Sequence, residues 1–398
     1  MPSVKSHHVM LLNDYVGEPP MAEYDDINQL VAQITFNILT ESPDMVVDIS
    51  QGNTDSSALE KAIIKDIDKH KYHYGLKRED LIKRVFDYMF GYGVLQRYIE
   101  DEDISDIDGT RYNEFSIKRN GVRTGIYVDF GSEKAFETYC KLIAIRNGGI
   151  LNENDSYCRI TDDKRRLRIN LAIRPRNVSG PSISIRKHRL KSYTLDDLER
   201  LQMLNREVRQ ILNEYIIEQR LSMVISGKGG AGKTTLLRAI INALPVMERV
   251  LITETDAEIF PDKPYCIQQR IKKANEGGIP VTLRDLVRDG LTMSLDTYCV
   301  GELIGGEACD FVKCCFTGHR GLATTHSESA EDTLTRLLTL CNSADHTDSE
   351  RTLKEMMARG INIVCYLRDF KVTDIIRVKG YDGERDSFAY EYLYRGNY

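Results

Sequence analysis

The pattern that leaves this chain least choice of architecture lies at residues 221–235. An apolar run (LSMVIS, 221–226) leads into Gly227-Lys-Gly-Gly-Ala-Gly232-Lys233-Thr234-Thr235, and residues 236–241 offer a helix behind it. A G-x-x-x-x-G-K-[ST] spacing between a strand and a helix is the context in which such a loop cradles phosphate. Backbone N–H groups surround phosphate oxygens only where side chains do not intrude, which accounts for Gly227, Gly230 and Gly232. The following helix points its positive end at the anion. Lys233 then reaches the outer phosphates, and the Thr234 hydroxyl, with Thr235 beside it, is placed to join a Mg²⁺ shell. The expectation is a Mg-nucleotide site, a pattern that GTPases and small-molecule kinases share with ATPases.

Around this loop, β-rich runs alternate with helix-length segments: RVLITE (249–254), TYCVGE (297–302) and GLATTH (321–326). That alternation predicts a mostly parallel sheet with helices packed on it. In such a sheet, functional side chains belong at the C-terminal ends of the strands. Glu254 and Glu302 each end a strand there, with Asp256 and Glu258 close to the first, and such carboxylates suit water activation and metal binding. His326 ends a third strand, and His319 stands in the turn before it. Cys309, Cys314, Cys315, His319 and His326 match no compact zinc spacing. Arg168 and Arg186 lie in basic clusters nearer the N-terminus. Three readings of them stay open: arginines that complete a phosphate site in a ring, a solvated basic face, or a surface for acidic lipid.

Composition narrows the class. The 398 residues carry 54 basic and 60 acidic side chains, a net charge of -6 that gives no support to a general nucleic-acid binder. Nine scattered cysteines, an odd number without a C-x-x-C pair, fit a reducing cytosol. The first residues do not read as a secretory signal, and the sequence holds no 18-residue apolar window. A cytoplasmic protein that reaches the membrane through partners is expected.

Further residues carry a resemblance. Phe90-Gly-Tyr-Gly-Val-Leu95, residues 104–110, Arg168-Ile-Asn and Gly180-Pro-Ser-Ile-Ser-Ile-Arg186-Lys187 fall in one order ahead of the phosphate loop. Residues 249–258, Thr282-Leu-Arg284-Asp-Leu-Val, Cys299-Val-Gly-Glu302 with Gly305-Gly-Glu307, residues 317–326 and Arg336 follow it. This ordered set resembles the ATPases of the type II and type IV secretion superfamily, nearest to the tight-adherence (Flp) pilus branch and near the conjugation-type branch. The resemblance spans roughly residues 80–380. Three residues depart from the family pattern, namely Thr255, Ile304 and Glu328.

The resemblance implies a RecA-like P-loop NTPase domain preceded by a smaller α/β N-terminal domain. The boundaries expected are a partly helical leader at 1–75, an N-terminal α/β domain at 76–187, a linker at 188–205 and the ATPase domain at 206–398. It also implies a homohexamer that works on an inner-membrane platform protein, with no specific nucleic acid, to assemble pili or secrete protein. In the implied roles Lys233 stabilises phosphate charge, Thr234 ligates the metal, Glu302 helps hold the metal or the water, and Glu254 activates water. His319 and His326 relay nucleotide state, and Arg168 and Arg186 contact phosphate or the adjoining subunit. The alternatives are a conjugation-type secretion ATPase, or a nucleotide-binding regulatory module with little turnover.

Overall fold

The computed structural model describes residues 23–396 except 43, 46–47, 50–54, 71, 73, 189–191 and 274–278. The chain forms two compact units, one within Met1–Arg189 and one within Leu190–Ala274 and Gly278–Tyr398. This is the expected α/β pairing of a smaller N-terminal body with a RecA-like body.

The first unit begins with α1 (Glu23–Glu41), α2 (Ser57–His70) and α3 (Arg78–Phe90). Val31, Ile34 and Ile38 of α1 repeat at helical spacing and are buried together with Leu59, Ile63, Leu81 and Met89. The stretch read from sequence as a leader therefore supplies core residues from Glu23 onward. Residues 1–22 lie outside the described residues. A short α4 (Gln96–Glu100) leads into β1 (Ile104–Arg111), β2 (Glu114–Arg119) and β3 (Val122–Ile126). Next come α5 (Glu133–Arg146), β4 (Tyr157–Asp162), β5 (Leu167–Ala172) and β6 (Ser182–Lys187). The strands make one antiparallel sheet in the order β3-β2-β1-β6-β5-β4. Alternate residues of β5 are buried, as a half-buried strand requires. In β1, a Cβ on Gly109 would stand 2.3 Å from the Phe115 ring, so only glycine lets that ring lie across the strand.

In the second unit, α6 (Leu195–Arg200) starts at a capping box formed by Thr194 and Asp197. Leu195, Leu198, Met203 and Leu204 pack into this unit's core. The charged surface of Asp196, Asp197, Glu199 and Arg200 is what makes residues 188–205 read as a linker. Helix α7 (Arg206–Ile211) continues as one wider-wound turn, Leu212–Glu218.

The sheet that follows runs β14-β13-β12-β7-β11-β10-β8-β9. Its strands β7 (Met223–Gly227), β8 (Val250–Glu254), β9 (Cys266–Arg270), β10 (Thr297–Leu303), β11 (Arg320–Thr325) and β12 (Ile363–Arg368) are parallel. Strands β13 (Lys371–Asp382) and β14 (Ser387–Arg395) add an antiparallel hairpin whose turn follows Asp382, as the Asp-Gly pair predicts. Strand β7 lies between β11 and β12, and every one of its residues is buried. Among the described residues no helix is long and apolar enough to cross a membrane.

Candidate active site

The loop after β7 has the backbone that its glycines are needed for. Gly227, Gly230 and Gly232 hold φ values of 145°, 77° and 95°, a region that side chains disfavour. A Cβ on Gly227 would stand 2.3 Å from the Leu367 carbonyl oxygen, and one on Gly232 would stand 2.5 Å from Met203 Cε. A Cβ on Gly230 would meet nothing within 4 Å, so the cradle's open face lies there. Helix α8 (Lys233–Ala243) begins at the loop's last residues and aims its first N–H groups into the cradle. Thr234 and Thr235, half-buried, follow Lys233 in its first turn.

Lys233 is 7% exposed. Its Nζ donates to the carbonyls of Gly227 (3.0 Å) and Lys228 (3.1 Å) and to His326 Nδ1 (3.2 Å). Burial lowers its pKa, and the charge of Glu302 opposes that shift. An ammonium can only donate, so His326 Nδ1 accepts. The ring proton then sits on Nε2 and points at Glu302 Oε1, 2.8 Å away. Lys233, His326 and Glu302 thus form a connected chain from the loop to the ends of β11 and β10.

Glu254, at the end of β8, is 3% exposed. Its Oε1 accepts the backbone N–H groups of Glu258 and Ile259, each at 3.1 Å, and its Oε2 accepts from Gln268 Nε2 at 2.6 Å. Burial raises its pKa to about 7 in spite of these bonds. The glycine ahead of Glu302 has its reason here: a Cβ on Gly301 would stand 2.8 Å from Glu254 Cγ. The Thr324 hydroxyl fixes the same peptide by donating to the Gly301 carbonyl at 2.6 Å.

Other expected residues are distributed differently. Arg336 lines a cleft of about 510 Å³ beside the loop, together with Lys228, His326 and Glu328. Glu328 pairs there with Lys228 at 3.1 Å, an exposed pair of small energetic weight. Ile304, 53% exposed, leaves its turn intact because Glu307 Oε1 accepts the N–H groups of Ile304 (2.6 Å) and Gly305 (2.7 Å). His319, expected to relay nucleotide state, precedes β11 and so lies at the other end of that strand from His326, roughly 20 Å along it. It stacks edge-on against Tyr298, 5.2 Å between ring centroids. The neighbouring Arg320 forms a buried ion pair with Glu248 at 2.7 Å, which the sequence reading missed. Arg168 and Arg186 belong to the first unit, where they are cross-strand partners, and Arg186 Nε donates to Asp106 Oδ1 at 2.9 Å. Gln268 was also missed, because it lies in a short, evenly half-buried strand without alternation.

No group of three or more His, Cys, Asp or Glu side chains able to hold a metal occurs among the described residues, and the nine cysteines are free. Mg²⁺ takes one or two protein oxygens and completes its shell with water and phosphate. The cradle of open N–H groups with Thr234 and Glu302 beside it fits such an ion.

Comparison with known proteins decides the family. The profile of the type II/IV secretion system protein family matches residues 154–367, just over half of the chain. The chain belongs to that family. A putative conjugal transfer protein of Mycobacterium tuberculosis is 28% identical over 255 residues, covering 62% of this chain and 72% of its own length. The conjugal transfer protein TrbB of Rhizobium radiobacter is 29% identical over 215 residues, covering 52% of this chain and 63% of its own. The X-ray structure of the Legionella pneumophila ATPase DotB shares the fold, with a TM-score of 0.51 and 17% identity over 72% of this chain and 80% of that one. These relatives are conjugal transfer proteins, which corrects the placement nearest the tight-adherence pilus branch. The coarse assignment is an ATP-driven motor of the secretion and conjugation superfamily.

Proposed function

We propose that this family member hydrolyses Mg-ATP at the loop after β7 and uses the cycle to drive conjugation-type transport across the cell envelope. It does so as a cytoplasmic homohexamer seated on a membrane platform protein. The observation that carries the reading is the connected chain Lys233–His326–Glu302, which joins the phosphate loop to two neighbouring strand ends. In it, Lys233 exchanges its carbonyl and imidazole partners for phosphate oxygens. That exchange frees His326 Nδ1 and so couples the state of the loop to Glu302. Thr234 and Glu302 would hold Mg²⁺, which would supply charge neutralisation at the phosphates. Glu254, with a pKa of about 7, is matched to taking a proton from water near neutral pH. Arg168 and Arg186 serve phosphate or the adjoining subunit. The names of the curated relatives favour conjugation-type work over pilus assembly.

The test is Mg-ATP turnover by the purified chain, with its mass measured in the same buffer and Lys233→Ala and Glu254→Gln alongside. Turnover by a hexamer that falls about 100-fold or more in both variants is expected. A confirmed hexamer that binds ATP yet turns over no faster than the variants, with its membrane platform present, would overturn the motor reading.

A further inference from the structure

We propose that Gln268 is a positioning residue for ATP hydrolysis, holding the Glu254 carboxyl from the neighbouring strand in the orientation from which it activates water. The proposal rests on the reading of Glu254 as the water-activating group.

The two carboxyl oxygens of Glu254 are secured in different ways. Oε1 is held by the backbone N–H groups of Glu258 and Ile259, which belong to the turn leaving β8 and come with the chain's own path. Oε2 is held by one side chain, Gln268 Nε2, at 2.6 Å. That side chain comes from β9, the edge strand paired in parallel with β8. The register sets Gln268 opposite Ile252 and Arg270 opposite Glu254, so Gln268 and Glu254 share a face of the sheet. On the other side, toward β10, Gly301 lets the Glu254 stem lie against its backbone, 2.8 Å from where a Cβ would be. Backbone therefore bounds the carboxyl on two sides, and a lone amide sets its remaining rotation.

The residue type suits the task. A lysine or arginine at position 268 would also donate, but its charge would hold Glu254 ionised and weaken it as a base. A carboxylate there would repel it. An amide donates one hydrogen bond with no net charge, so it orients the group while leaving burial to set its basicity. Turnover depends steeply on such orientation, because a displacement of about 1 Å at a reacting group costs on the order of 100-fold.

The experiment uses the full-length chain with Gln268→Leu, which keeps bulk and removes the donor, alone and in the Glu254→Gln background. Steady-state ATP hydrolysis is read beside the affinity for a non-hydrolysable ATP analogue. The expected result is a kcat reduced about 10- to 100-fold, with KM and analogue affinity unchanged and no further loss in the Glu254→Gln background. An unchanged kcat, or a loss matched by weaker analogue binding, would overturn the positioning role. A Glu254→Gln variant that keeps wild-type turnover would instead overturn the water-activating reading on which the proposal stands.

Discussion

Replacing Glu254 by glutamine should change stability in a way that depends on pH. The wild-type carboxyl is 3% exposed, and burial raises its pKa from 4.5 to about 7. It therefore binds its proton more tightly in the folded chain than in the unfolded one. Such a group lowers stability progressively as pH rises from 4.5 to about 7. Below that window both states are protonated and nothing is lost; above it the folded chain carries the whole cost of a buried charge. At about 1.36 kcal/mol per pKa unit, the cost is about 0.8 kcal/mol at pH 5 and about 3 kcal/mol at pH 8. Glutamine does not ionise and keeps the shape. Its oxygen still accepts from Glu258 and Ile259, and the Gln268 amide can turn to present oxygen to the new NH₂. The advantage of Glu254→Gln over wild type should thus grow by about 2.5 kcal/mol between pH 5 and pH 8. Other titrating groups are common to both proteins and cancel in that difference. In thermal melts following the second unit's transition, this is a relative gain of roughly 5–10 °C. An equal advantage at both pH values would refute the argument that burial governs this carboxyl.

Three further outcomes follow from neighbouring geometry. Gly301→Ala drives a methyl to 2.8 Å from Glu254 Cγ, so it should cost about 1–3 kcal/mol in urea unfolding and lower kcat about 10- to 100-fold; unchanged turnover would show that Glu254 does not need that contact. Arg320→Met removes the 2.7 Å partner of the buried Glu248 carboxylate, 1% exposed in its side chain, and leaves it only the longer 3.7 Å pair with Arg220 and the Thr297 hydroxyl, so it should destabilise the second unit by roughly 3 kcal/mol. Adding Glu248→Gln to it should recover much of that loss in the same unfolding experiment. His326→Ala should weaken nucleotide affinity or turnover, whereas His319→Ala, at the far end of β11, should leave affinity unchanged in equilibrium titrations; equal losses in both would contradict the placement of His319.

What could be read from sequence, and what could not, divides along physical lines. The phosphate loop was legible because its chemistry constrains composition residue by residue: three glycines at positive φ, a lysine and a hydroxyl at fixed spacing. The strands ending in Glu254, Glu302 and His326 were legible because buried parallel strands read as apolar runs that stop at a polar residue. Strand β9 was not, since an evenly half-buried edge strand such as Cys-Ile-Gln-Gln-Arg shows neither alternation nor an apolar run. Nor was the packing of α1, because its apolar stripe of Val31, Ile34 and Ile38 is diluted by polar neighbours until the surface it covers is known. The separation of His319 from His326 was hidden for a different reason. Sequence proximity says little across a strand, where six intervening residues carry the chain from one end of the strand to the other.

The correction of branch has the same root. Gly301 must be glycine because Glu254 lies against it, and under the proposed mechanism that requirement belongs to the handling of ATP, whatever the motor moves. Lys233, Thr234 and His326 are tied to phosphate in the same way under that mechanism. A set of boxes built from such residues identifies a superfamily and is nearly silent about cargo. Ile304, one of the residues that depart from the family pattern, is half exposed, while its turn is kept by Glu307. A substitution that alters a surface and leaves the catalytic backbone in place is the kind that separates one motor from another without changing how either handles ATP.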